Sequence, residues 1–173
     1  MKKSVSIFFT ILFLVLSIKS ESQDAKKIYT QGEIDYNNGR FTEAIGNYTL
    51  VISLDSTFIN AWLHRGFCKG MIKDFKGAIE DYTKVISMDS KLRFAYLSRG
   101  SAKNKLEEFQ SAMDDFNIVL ELDPFDQEAY NNRGFSWKGL GEKEKACDDW
   151  IKSKQMGNEE AKIILKNNRC REK

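Results

Sequence analysis

The stretch AWLHRGFCKG, residues 61–70, contains an Arg-Gly pair that returns twice further along the chain. YLSRGSAKN places the pair at residues 99–100, and YNNRGFSWK places it at residues 133–134. The glycines of the three pairs are therefore 34 residues apart. A fixed period of this size is typical of proteins built from repeated supersecondary units. The spacing predicts a repeat architecture.

The repeat extends over most of the chain, which divides from residue 25 into the gapless units 25–58, 59–92, 93–126 and 127–160. Each unit has glycine at position 8, alanine at position 20 and an aromatic residue at position 24. These residues are Gly32, Gly66, Gly100 and Gly134; Ala44, Ala78, Ala112 and Ala146; and Tyr48, Tyr82, Phe116 and Trp150. Two stretches per unit carry apolar residues at three-to-four spacing, which predicts two amphipathic helices. The small residues lie where two antiparallel helices must approach closely.

This register resembles the tetratricopeptide repeat (TPR) family, through Tyr96, Gly100, Ala112, Phe116 and Pro124 of the third unit and their equivalents. The resemblance implies an all-α, right-handed TPR superhelix, or solenoid, of four helix-turn-helix repeats. The stretch NEEAKIILKNN then predicts a C-terminal capping helix at about 158–169, because the open end of a solenoid needs a polar outer face. The fold serves many unrelated partners and does not by itself specify one.

The N-terminal residues 1–22 have the order of a secretory signal peptide. Lys2 and Lys3 precede an apolar stretch at 5–18, and Ser22 is a small residue before a predicted cleavage at Gln23. The alternative is an uncleaved membrane anchor, but the apolar stretch is shorter than the roughly 20 residues that span a bilayer. We therefore expect a bacterial protein that is exported, periplasmic or secreted.

Cleavage would leave a TPR domain at 23–173 without net charge. The full sequence has 27 basic and 25 acidic residues, of which residues 1–22 hold three lysines and one glutamate. A neutral chain offers no electrostatic attraction to nucleic acid or to an anionic membrane. The sequence predicts neither partner, and no stable membrane insertion after cleavage.

Catalytic chemistry is not expected. His64 is the only histidine, and a nucleophile-base pair or a metal site would need further groups that converge on it. We predict that the chain is not an enzyme and that it has no cofactor and no metal. His64 is instead expected in a groove or at the surface.

Arginines occupy position 7 in the last three units, as Arg65, Arg99 and Arg133. The same units have acidic residues at positions 22 and 23, which are Glu80 and Asp81, Asp114 and Asp115, and Asp148 and Asp149. The first unit lacks both the arginine and the acids. This pairing predicts a salt bridge between the two helices of a unit. The alternative is a ladder of arginines that binds a phosphate or carboxylate ligand.

Cys147 and Cys170 are predicted to form a disulfide. Cys147 lies in the second helix of the last repeat, and Cys170 lies at the end of the capping helix, which should run antiparallel to it. Exported bacterial TPR proteins with an ACDDW-like stretch and a cysteine near the C-terminus look similar, which supports the pairing. Metal binding is the alternative, but it lacks further ligands. Cys68 occupies a position where the family has a small buried residue, so a buried free thiol is expected.

In the TPR family the concave surface is lined by positions 2, 5, 6, 9, 12 and 13 of the first helices. We therefore expect a partner-binding groove formed by Tyr29, Tyr36, Leu63, His64, Phe67, Met71, Phe94, Leu97, Asn131 and Phe135. The alternative is that several of these side chains pack against neighbouring repeats. Tyr29 and Glu33 stand where the family's carboxylate clamp has lysine and asparagine, so binding of chaperone tails in that way is not expected.

Aromatic and long apolar side chains with scattered amides suit a peptide or an amphipathic helix. The sequence thus predicts a protein-protein interaction adaptor of the bacterial cell envelope. The alternative function is a structural subunit that self-associates, or joins an envelope assembly, through the ends of its solenoid.

Overall fold

The computed structural model describes residues 23–170, so the predicted signal peptide lies outside the described residues. Within 23–170 the chain forms nine α-helices and no strand. The all-α fold class predicted from the sequence is confirmed. The chain forms two compact units that divide between Ile72 and Lys73, inside the second predicted repeat.

Within residues 23–72, unit one contains three helices, α1 at 23–37, α2 at Phe41–Leu54 and α3 at Ile59–Met71. Its core is formed where apolar residues from the three helices meet. Ala25 of α1, Val51 of α2 and Ala61 of α3 share one buried cluster, and Tyr48 and Cys68 share another.

Unit two contains six helices, which pack in consecutive pairs along the chain. They are α4 (Phe75–Met88), α5 (Arg93–Lys105), α6 (Phe109–Leu122), α7 (Gln127–Gly139), α8 (Lys143–Gln155) and α9 (Glu159–Asn167). Tyr96 and Phe116 lie in one buried cluster. Trp150 and Leu165 lie in a second cluster, which joins α9 to α8.

The glycine at position 8 is required because the ring at position 24 of the same repeat lies against its backbone. A Cβ atom on Gly32 would lie 2.7 Å from a ring carbon of Tyr48, and one on Gly100 would lie 2.7 Å from a ring carbon of Phe116. Such distances are well inside van der Waals contact, so any larger residue would displace the ring. The predicted close approach of the two helices is confirmed in these repeats.

The two turn types of the repeat have distinct causes. The turn inside each helix pair places position 15 in the left-handed region, at Gly39, Lys73, Glu107 and Gly141. Glycine adopts this conformation without strain, whereas lysine and glutamate do not. The second helix of the first three repeats ends at an aspartate in extended conformation. Its carboxylate accepts a hydrogen bond from the backbone N–H two residues on, as Asp55 does from Thr57 at 2.9 Å.

The C-terminal cap has the predicted form. Asn158 caps α9, since its Oδ1 atom accepts hydrogen bonds from the backbone N–H groups of Glu160 and Ala161. Ile164 and Leu165 of α9 pack in the core. The predicted disulfide is present: Cys147 on α8 is bonded to Cys170, with their Cα atoms 5.5 Å apart. In unit one, Cys68 is a buried free thiol, also as predicted.

Candidate functional site

Two of the three arginines at position 7, Arg99 and Arg133, form ion pairs inside unit two. Arg99 donates from Nε to Asp115 Oδ2 at 3.0 Å and from Nη2 to Oδ1 at 2.6 Å. Arg133 donates in the same way to Asp149, at 2.7 and 2.8 Å. The hydrogen bonds that Arg133 donates to Asp149 raise the pKa of Arg133. The predicted salt bridges are confirmed for these two arginines.

Each of the three arginines also reaches the preceding repeat through Nη1. The acceptors are all at position 25: Thr49 for Arg65 at 3.1 Å, Thr83 for Arg99 at 3.1 Å, and Asn117 for Arg133 at 2.7 Å. Each guanidinium also lies over the aromatic ring at position 4, that of Trp62, Tyr96 or Tyr130, 4.7 to 5.6 Å from its centre. The arginines therefore form hydrogen bonds between successive repeats. This disfavours the alternative in which their guanidinium groups bind a phosphate or carboxylate ligand. The acids predicted for Arg65 belong to unit two, and that pairing stays a prediction.

In the first repeat the acidic residue lies on the first helix, and position 7 holds Gln31 instead of an arginine. Asp35 at position 11 accepts hydrogen bonds from Arg40 Nε at 3.0 Å and from Asn47 Nδ2, at position 23, at 2.8 Å. The hydrogen bond from Arg40 lowers the pKa of Asp35. In the third repeat the same two positions are Lys103 and Asp115, whose Nζ and Oδ2 atoms are 2.8 Å apart. The carboxylate has moved from the second helix to the first, which explains why the first repeat lacks the arginine-acid pattern.

Five predicted or neighbouring groove residues come together in unit one, and we call Tyr29, Glu33, Tyr36, His64 and Phe67 the aromatic surface. The Tyr29 hydroxyl lies 3.1 Å from His64 Nδ1. The rings of Tyr29 and Tyr36 lie nearly parallel to the imidazole, with centroid distances of 5.7 and 6.5 Å. Phe67 contacts the imidazole from its own helix at 6.4 Å. Tyr36 is exposed, and the other four are half-buried.

The electrostatics of the aromatic surface leave it with one charge. Burial, with a smaller contribution from Glu33, raises the pKa of Tyr29 to about 12. Burial lowers the pKa of His64, against an opposing effect of Glu33. At neutral pH the imidazole and the phenol are therefore uncharged, and the Glu33 carboxylate carries the charge. Leu63 and Met71 lie on the same helix as His64, half-buried and exposed respectively.

A cavity of about 640 Å³ opens in unit two between α5 and α7, with Glu160 of α9 at its edge. Phe135 forms its apolar side and packs edge-on against Trp150 at 5.4 Å. Asn131 also lines the cavity, and its Oδ1 atom is buried without a hydrogen-bond partner in residues 23–170. Lys138 adds a positive charge to the lining.

The remaining amides of this cavity are fixed by a hydrogen-bond network. Asn132 Nδ2 donates to Ser101 Oγ at 3.2 Å, and Asn104 Nδ2 donates to the Asn132 carbonyl at 3.0 Å. Ser136 Oγ donates to Asn104 Oδ1 at 2.8 Å. The network links α5 to α7 and sets the orientation of polar groups that line the cavity before any partner arrives.

The structure separates the groove residues predicted in unit two. Asn131 and Phe135 share the cavity. Phe94 instead lines a smaller cavity of about 300 Å³ with the exposed Phe125. The prediction for Leu97 is corrected: it is 6% exposed and packs in the same core cluster as Phe116. Position 5 of the third repeat faces the core, so Leu97 offers little surface to a partner.

The sequence analysis missed several residues of the larger cavity. Ser101, Asn104, Asn132 and Lys138 stand at positions 9, 12, 6 and 12 of their repeats. These are the positions that the family uses for its groove, so applying the rule to every repeat would have found them. Glu160 carried no such signal, because the cap lies outside the register.

Within 23–170 no group of three or more His, Cys, Asp or Glu side chains is placed to hold a metal ion. No helix in this range is long and apolar enough to span a bilayer.

Solved structures with the same fold are TPR proteins. A crystal structure of MamA is 20% identical, covers 84% of this chain and 85% of that chain, and superposes with a TM-score of 0.75. The first TPR domain of Spaghetti (RPAP3), bound to the HSP90 peptide SRMEEVD, is 27% identical over 69% of this chain and 94% of that chain, with a TM-score of 0.66. The second TPR domain of human RPAP3, in complex with the HSP70 peptide SGPTIEEVD, is 25% identical over 67% and 97%, with a TM-score of 0.64. No family model and no curated protein matches the sequence.

Proposed function

We propose that this chain, which has the tetratricopeptide repeat fold, is a protein-interaction adaptor that holds a peptide or a segment of a partner protein against the first helices of its repeats. The solved TPR domains of RPAP3 with HSP90 and HSP70 peptides support this class of function. The observation that carries the proposal is the cavity of unit two. No catalytic role is proposed.

The chemistry of the cavity suits an extended peptide. Amide side chains donate and accept hydrogen bonds, as a peptide backbone does. Asn131 Oδ1 is a buried acceptor without a partner, and an N–H group of a bound peptide would satisfy it if the side chain turned outward. Phe135 offers an apolar face for one side chain of the partner, and a few aromatic anchors typically supply most of the binding energy.

The test compares two exposed phenylalanines of unit two. A partner is first identified by cross-linking in the native host, and its dissociation constant is then measured with the purified chain. Phe135→Ala should weaken binding by about thirtyfold, since an anchor contributes about 2 kcal/mol. Phe125→Ala is the matched control, because Phe125 is 77% exposed and lies outside the cavity.

Equal losses in the two variants, or no loss in either, would contradict the proposed site. Thermal unfolding of both variants is measured in parallel, because Phe135 also packs on Trp150. If Phe135→Ala unfolds, Phe135→Leu keeps the apolar packing and removes the aromatic face.

We place this adaptor in the bacterial cell envelope. The signal-like order of residues 1–22 and the Cys147–Cys170 disulfide support an oxidising compartment. Mass measurement of the protein from its native host should show a chain that begins at Gln23. Recovery of an intact chain from the cytoplasm would contradict export.

The alternative, a structural subunit that associates through its ends, has one observation in its favour. Ile163 on α9 is 62% exposed, while Ile164 and Leu165 of the same helix are buried. Size-exclusion chromatography separates the two functions: a monomer favours the adaptor. A stable oligomer that Ile163→Lys dissociates favours the structural subunit.

A further inference from the structure

We infer that the aromatic surface of unit one binds an arginine side chain presented by a peptide partner, through the ring of Tyr36 and the carboxylate of Glu33. This inference deepens the proposed function and rests on it, because the arginine is taken to arrive on a peptide.

The chain itself shows how this fold binds arginine. Arg99 lies over the ring of Tyr96, 5.6 Å from its centre, and pairs with Asp115. Arg133 does the same, 5.4 Å from the ring centre of Tyr130. In each case an aromatic face and a carboxylate share one guanidinium. A cation over a ring face is attracted by the ring quadrupole, and the carboxylate adds charge-assisted hydrogen bonds.

The aromatic surface presents the same two kinds of group in unit one. The ring of the exposed Tyr36 lies 24° from the plane of the His64 imidazole at a centroid distance of 6.5 Å, whereas the ring of Tyr29 packs against Phe58 and His64. Glu33 is half-buried and close enough to Tyr29 to contribute to the raised pKa of its hydroxyl. Of the described lysines and arginines, none forms an ion pair with Glu33, whereas Asp35, two residues further on, is paired with Arg40.

The neighbouring groups favour a cation at this place. Burial keeps the His64 imidazole uncharged at neutral pH, so it does not repel a positive ligand. The hydrogen bond between the Tyr29 hydroxyl and His64 Nδ1 fixes the imidazole on which the Tyr36 ring stacks. An acidic peptide would instead meet the Glu33 carboxylate, and like charges brought together in a groove oppose binding.

Arginine fits this arrangement better than lysine does. A guanidinium is planar, stacks on aromatic faces and donates two parallel hydrogen bonds to a carboxylate. An ammonium is more strongly hydrated and does not stack. An exposed aromatic ring near a carboxylate therefore selects for the planar cation.

The test is an NMR titration of the full-length protein with acetyl-Gly-Arg-Gly-amide. The ring signals of Tyr36 and His64 should shift in a saturable way. The citrulline analogue, which has the same shape without the charge, should bind about tenfold more weakly, and the lysine analogue should bind more weakly than arginine. Glu33→Gln and Tyr36→Leu should each weaken arginine binding about fivefold to tenfold.

Glu43→Gln is the matched control, because Glu43 is an exposed carboxylate in the first turn of α2 and the substitution changes net charge equally. Citrulline binding as tight as arginine binding would overturn the inference, and so would equal effects of Glu33→Gln and Glu43→Gln. The tripeptide readout does not involve Phe135. If the tripeptide does not bind while Phe135→Ala still weakens partner binding, the proposed function stands and only the arginine site is refuted. If a Glu33 variant does not fold, the comparison of arginine with citrulline on the unaltered protein decides.

Discussion

Replacing Asp149 by asparagine should destabilise unit two far more than removing an exposed carboxylate does. Asp149 is only 6% exposed at its side chain and accepts two hydrogen bonds from Arg133. Asparagine keeps one oxygen but turns an NH2 group toward a guanidinium that has only donors. Arg133 would then hold a charge that is 18% exposed without its counterion.

The size of the effect lies between two limits. Removing one partner of a fully buried ion pair costs about 3–5 kcal/mol, and losing an exposed pair costs roughly 0–1 kcal/mol. Arg133 keeps some contact with water, its hydrogen bond to Asn117 and its ring contact with Tyr130. We therefore expect a loss of about 2–3 kcal/mol in the free energy of unfolding.

The assay is urea unfolding followed by tryptophan fluorescence in a Trp62→Phe background. This background leaves both remaining tryptophans, Trp137 and Trp150, in unit two. Glu142→Gln is the control, because Glu142 pairs with Lys145 while 50% exposed, and it should cost less than about 0.5 kcal/mol.

The double variant Arg133→Met with Asp149→Leu completes the test. It removes both charges and keeps apolar volume, so it should recover most of the stability lost by the single change. A cost of Asp149→Asn no larger than that of Glu142→Gln would refute the reasoning. The arginines at position 7 would then be free to serve a ligand, as the alternative interpretation of the sequence holds.

Three further outcomes are expected. Reducing the Cys147–Cys170 disulfide should lower the free energy of unfolding by about 2–4 kcal/mol. Thiol titration of the unreduced protein should find only Cys68, which should react slowly because burial raises the pKa of its thiol to about 11. Three reactive thiols would exclude the disulfide. Glu107→Gly should stabilise unit two by about 0.5–1 kcal/mol in thermal or urea unfolding, because Glu107 has a φ of +61° that glycine adopts without strain. A loss of stability would show that contacts of the Glu107 side chain stabilise the fold by more than the backbone strain destabilises it. Burial lowers the pKa of His64 in the folded state, so the unfolded chain binds more protons than the folded chain below about pH 6.5. The free energy of unfolding should therefore fall as the pH is lowered from 8 to 5, and it should fall less in His64→Gln. Equal pH dependence of the two proteins would contradict this.

Most of the fold follows from the sequence, because the residues that pack the two helices of a repeat together recur at the same positions in all four repeats. Glycine at position 8 and an aromatic residue at position 24 recur together, and the structure places the ring of Phe116 against Gly100. The co-occurrence of Arg99 with Asp115 likewise predicted a salt bridge, since opposite charges that appear and vanish together are usually partners. The disulfide followed from the antiparallel course of the cap.

The candidate site was less predictable. Position in the repeat put Phe135, Asn131 and Leu97 on one predicted face, and the structure brings Phe135 and Asn131 to one cavity while it buries Leu97 in the core. Leu97 and Asn131 both occupy position 5 and are 6% and 7% exposed, so the position alone does not tell a core residue from one that lines a cavity. The contact of Asp35 with Asn47, and the equivalent contact of Lys103 with Asp115, were also not predicted, because each joins position 11 on one helix to position 23 on the next.

The sequence by itself determined the period, the helix pairs, the turns and the cap, because these depend on contacts within one repeat that each copy specifies again. Only the tertiary structure decided which polar groups became neighbours across repeats. Arg133 reaches Asn117 of the repeat before it, and Tyr29 meets His64 across 35 residues of sequence. Such contacts depend on the exact stacking of successive helix pairs, because a shift of about one ångström makes or breaks a hydrogen bond. The 34-residue period shows only which residues are equivalent.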